Sequence, residues 1–293
     1  MLPYRPEGLN EPSPGIDKLQ RSIGTGDIFE AMCVKCDEHH NLYVNLGTAK
    51  GIIPRQEAAL GLTEGRTKEY AILSRVGKPV CFQVLDFTND GTAILSRRAV
   101  QMEAKDYFLS TLRPGDIIEA VVQNAADFGV FCDIGCGFPA LMRIDRCCIS
   151  RLQKTTDLYH TGQHLQLAVL GIDDLLGQIQ LTGRELLGTW EENAALFTPG
   201  QTVPGIVRSA MPYGLFVELT PNLSGLAESV TGIQPGDPVS VYIRSILPNR
   251  HKIKLNIIER IPALPPQPML HFNCQNRIEK WEYFPGSKAF TVF

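Results

Sequence analysis

The chain has 293 residues, 44% of them hydrophobic and 20% charged, with a formal net charge of -3 and an isoelectric point near 6.1. That length and apolar content can build substantial cores for two or three ordinary domains, which excludes a disordered or fibrous chain. The mild acidity excludes a protein that coats nucleic acid through bulk charge, so any such binding has to be local.

The N-terminus, Met1-Leu2-Pro3-Tyr4-Arg5-Pro6, has no apolar run of signal-peptide type. Nothing in the chain approaches the ~18 consecutive apolar residues of a membrane span, so a cytoplasmic location is the expectation. After an N-terminal extension (1–23), three segments open alike, at Gly26-Asp27-Ile28-Phe29, Gly115-Asp116-Ile117-Ile118 and Gly200-Gln201-Thr202-Val203, with starts 89 and 85 residues apart. Each opening strand is followed by a short turn and a second strand ending at Leu46-Gly47, Ile134-Gly135 or Leu219-Thr220. Third strands follow at 51–54, 140–142 and 225–227, fourth strands at 79–85, 164–170 and 238–246, and short fifth strands at 93–96, 179–182 and 253–256. Five short strands with Gly-rich turns predict a small closed barrel, repeated here.

The spacing divides the chain into domains at 24–98, 113–184 and 198–260. Segment 98–112 carries Ala99, Met102, Tyr107, Phe108 and Leu112 without Gly or Pro and predicts a helical linker, assigned to 99–112 between the domains. Segment 185–197 predicts a second helical connector, with Trp190 and Leu196 packed against a neighbouring barrel. A Pro-rich linker then leads to a predicted C-terminal β-hairpin over 277–293, rich in Trp281, Tyr283, Phe284, Phe290 and Phe293. Two strands alone are unstable in water, so the hairpin must dock.

The second strands carry the functional signal. Repeat two reads Asp127-Phe128-Gly129-Val130-Phe131-Cys132-Asp133 and repeat three reads Pro212-Tyr213-Gly214-Leu215-Phe216-Val217-Glu218. Strand alternation sends Val130, Cys132 and Ile134 to the core and Phe131 to the outer face beside Asp133, and it turns Phe216 outward in the same way. An outward aromatic at one place in a repeat is a candidate stacking platform.

With the Gly-Asp opening, the Phe-Gly-Val-Phe turn and the Gln-Leu-Thr or Leu-Ser close, the pattern resembles the S1 RNA-binding domain, the OB-fold module of ribosomal protein S1 and polynucleotide phosphorylase. The resemblance spans about 24–260, is strongest in repeat two and weakest in repeat one, and is to short bacterial S1-domain proteins. It implies an all-β chain of three tandem five-stranded barrels joined by short helical linkers. In the family, RNA meets two second-strand aromatics, a third-strand His, and an Asp and an Arg flanking the last turn. In repeat two those positions hold Phe128, Phe131, Arg143, Asp174 and Gln178. In repeat three they hold Tyr213, Phe216, Glu228, Pro248 and Lys252, and in repeat one His40, Tyr43, Arg55, Asn89 and Ala93. No repeat has the full set.

Repeat three (198–260) holds six Lys and Arg against four Asp and Glu, whereas repeat two (113–184) holds six against eight, so repeat three is the better electrostatic site for phosphate. Arg208, Lys252 and Lys254, with Arg143 in repeat two, are the expected phosphate contacts, and Glu228 opposes them. The Cys33-Val34-Lys35-Cys36 spacing lacks the second pair that a zinc knuckle needs, and no Gly-rich phosphate loop, H-E-x-x-H or G-x-S-x-G is present. The reading is therefore non-catalytic, without metal or cofactor. The expected function is binding of single-stranded RNA, messenger or ribosomal, in translation or RNA metabolism, without DNA specificity or a membrane partner. The small ribosomal subunit is a further candidate partner. The alternative is a ribosome- or protein-docking adaptor using repeat one and the aromatic hairpin.

Overall fold

The computed structural model describes residues 3–10, 15–47, 49–173, 175–265, 269–272 and 275–293. A short helix α1 (Ile16–Arg21) leads into strands β1 (Phe29–Cys36), β2 (Leu42–Asn45) and β3 (Lys50–Ile53), helix α2 (Tyr70–Leu73), and strands β4 (Pro79–Phe87) and β5 (Ala93–Ser96). These close into a barrel in the order β1-β2-β3-β5-β4, antiparallel throughout except where β3 meets β5. Helix α3 (Arg97–Thr111) leads to barrel two, built from β6 (Ile117–Ala126), β7 (Gly129–Asp133), β8 (Pro139–Arg143), β9 (His164–Asp173) and β10 (Gln178–Thr182). Helix α4 (Trp190–Ala194) leads to barrel three, built from β11 (Thr202–Met211), β12 (Gly214–Thr220), β13 (Leu223–Ala227), β14 (Pro238–Leu247) and β15 (Lys252–Arg260). Barrels two and three repeat the strand order of barrel one, and β16 (Lys280–Glu282) pairs with β17 (Phe290–Val292) as the C-terminal hairpin. The all-β architecture of three barrels with short helical connections is the one the repeats predict.

Alternation fills each barrel. Val130, Cys132, Met142, Leu167, Ile179 and Leu181 are buried in barrel two, as are Val207, Leu215, Val217, Ile243, Ile253 and Leu255 in barrel three. Helix α3 is N-capped by the Ser96 hydroxyl, which accepts from the Ala99 N–H. It buries Val100, Ala104 and Phe108, the last stacked 6.1 Å from Phe138 of barrel two. The second connector is helical only over its five central residues, opened by a Thr189/Glu192 capping box. Trp190 packs into the core beneath barrel three, but Leu196 is 44% exposed and does not pack as expected.

The C-terminal hairpin docks, as two strands alone require: Trp281 and Tyr283 are buried with Ile278 in the core of barrel three, while Phe290 stays exposed. The Ile278 N–H donates to the Gly115 carbonyl and the Ile117 N–H to the Asn276 carbonyl, tying the segment to barrel two as well. Gly115 is required there, since a Cβ would collide with the Ile278 carbonyl oxygen and its φ is +91°. The Tyr283 hydroxyl donates to the Asn222 carbonyl, and Phe284 stacks on His251 at 4.1 Å. The hairpin is a wedge between barrels two and three.

Candidate nucleic-acid interface

In barrels two and three the aromatic pairs take one geometry. Phe128 and Phe131 lie edge to face with centroids 5.8 Å apart and planes at 85°, and Tyr213 and Phe216 do the same at 6.2 Å and 85°. Phe128 and Tyr213 are 58% and 66% exposed, while Phe131 and Phe216 are half-buried beside them. The glycine between the rings sets this arrangement. A Cβ on Gly129 would come within 2.7 Å of the Met142 carbonyl oxygen, and one on Gly214, at φ +145°, would collide with the Ala227 carbonyl oxygen. Close approach of the turn to the third strand therefore demands glycine and leaves the first ring standing over the second.

Strand register extends each platform across the outer face. In barrel two the row runs Asn124, Phe131, Leu141, Gln180 and Gly171. In barrel three it runs Ser209, Phe216, Leu226, Lys254 and Ser245. In barrel one it runs Lys35, Tyr43, Ile52, Ile94 and Asp86. Gln180 and Lys254 were legible as outward positions from the alternation of the fifth strands, but only register shows that they share a row with the aromatics.

The cations separate into free and committed groups. Lys252 and Lys254 are exposed and have no ion-pair partner among the described residues, and Lys254 shares the row of Phe216 two strands away, across Leu226. Arg143 is exposed but its Nε donates to Asp145 Oδ1 at 2.9 Å. Arg208 departs from expectation: its side chain is 6% exposed and donates to Glu218 at 2.8 and 3.0 Å and to Asp157 of barrel two at 3.0 Å. Burial alone would lower its pKa, but the bonds to Glu218 outweigh that and hold it raised. Arg208 is a structural cation joining two barrels and cannot reach phosphate. Glu228 is exposed and makes no ion pair with Lys252.

Barrel one differs. The Tyr43 hydroxyl donates to Asp37 at 3.2 Å, with Lys35 over its ring at 5.7 Å. Hydrogen bonds from the Asn41 side chain first, then from its backbone and from Tyr43, hold Asp37 below the usual carboxylate range. Arg55 donates to Glu69, which also meets His40 at 3.1 Å. Each aromatic or cationic group carried over to this barrel faces a carboxylate. The Asp174 expected at the last turn of barrel two lies outside the described residues.

Asp133 also departs from expectation. Alternation places it outward with Phe131, yet it is buried because the N-terminal segment covers it. Asp133 accepts from the backbone N–H of Glu7, Gly135 and Gly137 at 2.8 to 2.9 Å. The Glu7 carboxylate in turn accepts from Arg97 at 2.6 and 2.8 Å, from Arg75 at 3.4 Å and from the Cys81 N–H at 3.1 Å. These residues clamp barrel one to barrel two, away from the aromatic platform. No sequence signal marks Glu7 for this role.

The chain is three tandem closed five-stranded barrels of OB-like fold, two of which carry an aromatic-Gly-x-aromatic turn. The chain is similar in sequence to bS1 proteins. The small ribosomal subunit protein bS1 homolog of Bacillus subtilis is 28% identical over 260 residues, covering 83% of this chain and 66% of that protein. Small ribosomal subunit protein bS1 of Staphylococcus aureus is 26% identical over 260 residues, covering 83% and 64%. The chain thus spans just under two thirds of the length of these relatives. No family model matches the chain. Among solved structures, a multidomain protein with nucleic acid binding domains from Streptococcus pneumoniae aligns over 80% of this chain and 73% of its own, at 15% identity and a TM-score of 0.26.

Proposed function

We propose that this protein binds single-stranded RNA without catalysing a reaction on it, acting in bacterial translation or RNA metabolism. The observation that carries this reading is the pair of matched edge-to-face platforms on barrels two and three, each with an exposed ring over a half-buried one. A base laid on such a ring gains about 1–3 kcal/mol whatever its identity, because every base has a π-face. Lys252 and Lys254 supply phosphate contact on barrel three, and Arg143 does so on barrel two at the cost of its bond to Asp145. The names of the relatives, small ribosomal subunit protein bS1, support the small ribosomal subunit as a partner. The test is titration of an unstructured oligouridine at low and moderate salt. The Phe131→Ala/Phe216→Ala double variant should lose affinity about a hundredfold, roughly tenfold per platform. No binding, or equal binding by the double variant, sinks the reading.

A second reading is confined to barrel one. His40 and Arg55 face Glu69, while Met32, Val34, Tyr70, Leu73 and Val76 are exposed. Gly77 N–H donates to the Cys33 carbonyl, which sets Val76 beside Val34. Such a surface suits docking on another protein better than holding RNA. Of the hairpin, only Phe290 and Val292 are left exposed for such docking, since Trp281 and Tyr283 are buried. Crosslinking from a photoreactive residue at Leu73 should then capture protein rather than RNA.

A further inference from the structure

At the end of its platform row, barrel two has glycine where barrels one and three carry Asp86 and Ser245. A shallow cleft of about 440 Å³ is lined by Gly171, Ile172, Asp173, Leu175 and Gln180. It exists because Gly171 stands opposite Gln180, where the equivalent pairs carry side chains on both strands, Asp86 with Ile94 and Ser245 with Lys254. A Cβ at Gly171 would meet nothing within 4 Å, so the space is open to solvent and to a ligand. Gln178 pairs with Asp173 and Gln180 with Gly171, which makes Asp173 and Gln180 diagonal neighbours on one face, within reach of a shared ligand.

The polar walls are available. Gln180 is exposed and its amide has no hydrogen-bond partner among the described residues. Asp173 Oδ1 accepts from the Leu176 N–H at 2.9 Å, and Oδ2 has no partner among the described residues. Leu175 at the tip is 99% exposed, an apolar side chain with nothing to cover unless something enters the cleft. Gln180 lies two strands from Phe131, about 10 Å, so a group in the cleft is the neighbour of a base stacked on Phe131 rather than that same base.

We propose that this cleft is a nucleobase site for guanine, an inference that rests on the RNA-binding reading above. A carboxylate only accepts, and guanine alone among the four bases offers two adjacent donors, N1–H and N2–H, on its Watson–Crick edge. Asp173 takes those donors, the Gln180 amide donates to O6, and Leu175 covers the ring. Because a carboxylate repels phosphate, the cleft selects a base edge while Lys254 of barrel three, at the position of Gln180, holds backbone.

The experiment uses the full chain and a labelled oligouridine 12-mer carrying one central guanosine, inosine or adenosine, with fluorescence anisotropy as readout. Inosine lacks only the N2 amino group, so stacking is nearly constant. The guanosine oligomer should bind about fivefold tighter than the inosine one, the low end of the range for a bidentate base contact. Gly171→Val, which fills open space, should reduce that ratio to near one, whereas Gln180→Leu should weaken the guanosine and inosine oligomers by the same factor, since both carry O6, and leave the ratio standing. Lys254→Leu should weaken all the oligomers and preserve the ratio. Equal binding of guanosine and inosine oligomers, or a preference that survives Gly171→Val, overturns the guanine site while leaving the RNA reading intact. Failure to bind the all-uridine oligomer overturns the RNA reading, and the cleft with it.

Discussion

Arg208 and Lys254 belong to the same barrel and weigh equally in a count of charge, yet they do opposite things. Arg208 is sealed against Glu218 and Asp157, whereas Lys254 has no ion-pair partner among the described residues and stands in the row of Phe216, two strands across. Arg208→Ala leaves Glu218 buried and unpaired, which should cost about 3 kcal/mol in denaturant unfolding and leave the salt dependence of RNA binding unchanged. Lys254→Ala should do the reverse, with unaltered stability and a salt slope reduced by about 0.7 for one lost contact to a single strand. Gly214→Ala forces a side chain at φ +145° into the Ala227 carbonyl, and a loss of about 2 kcal/mol is expected with the Tyr213/Phe216 pair disturbed.

At the scale of elements, two short segments hold far more than their length suggests. The first is the N-terminal strap. Burial would raise the Glu7 pKa, but Arg97 and then Arg75 outweigh it and hold the carboxyl low, while burial and then the charge on Glu7 push Asp133 up to about 7. Glu7 therefore contributes stability that is lost as pH falls below its unfolded value near 4.3. Asp133 has the opposite sign. Its contribution is full below the unfolded value near 3.9 and drains away as pH rises towards 7. From these two groups the melting temperature should be highest near about pH 4 and decline as pH rises towards 7, and Asp133→Asn should flatten that decline. The second segment is the C-terminal hairpin. Deleting 275–293 uncovers the surface against which Ile278, Trp281 and Tyr283 pack, and at about 1.5–3 kcal/mol for each large side chain, barrel three should be markedly destabilised in denaturant titration.

At the scale of the whole molecule, barrels two and three share more than a linker. The Ile149 N–H donates to Asn222 Oδ1, the Ser150 N–H to the Pro221 carbonyl, and Arg208 crosses to Asp157. With the hairpin wedged between them, the two platforms keep a fixed relation, and the barrels should unfold in a single calorimetric transition. A fixed pair of sites also raises the effective concentration of the second for an RNA bound at the first. Affinity should therefore rise steeply once an oligonucleotide is long enough to reach both platforms, and more gently on either side of that length. A smooth increase with length would mean that the two sites act independently.

The three barrels and the outward aromatics were legible because they rest on local periodicity. Alternation of two along a strand assigns Val130 and Cys132 to the core and Phe131 to the surface without knowledge of any partner, and the repeat says it again at Phe216. Alternation assigned Asp133 outward in the same way, and there it failed, because a remote segment carrying Glu7 covers that face. Which cations are free, which rings of the hairpin are buried and where a missing side chain opens a cleft depend on groups far apart in the chain, and tertiary packing decided them. The sequence alone determined what kind of surface each strand can offer. Only the folded molecule decided which of those surfaces remain open to a ligand, because burial and ion pairing are properties of the pair and not of the residue.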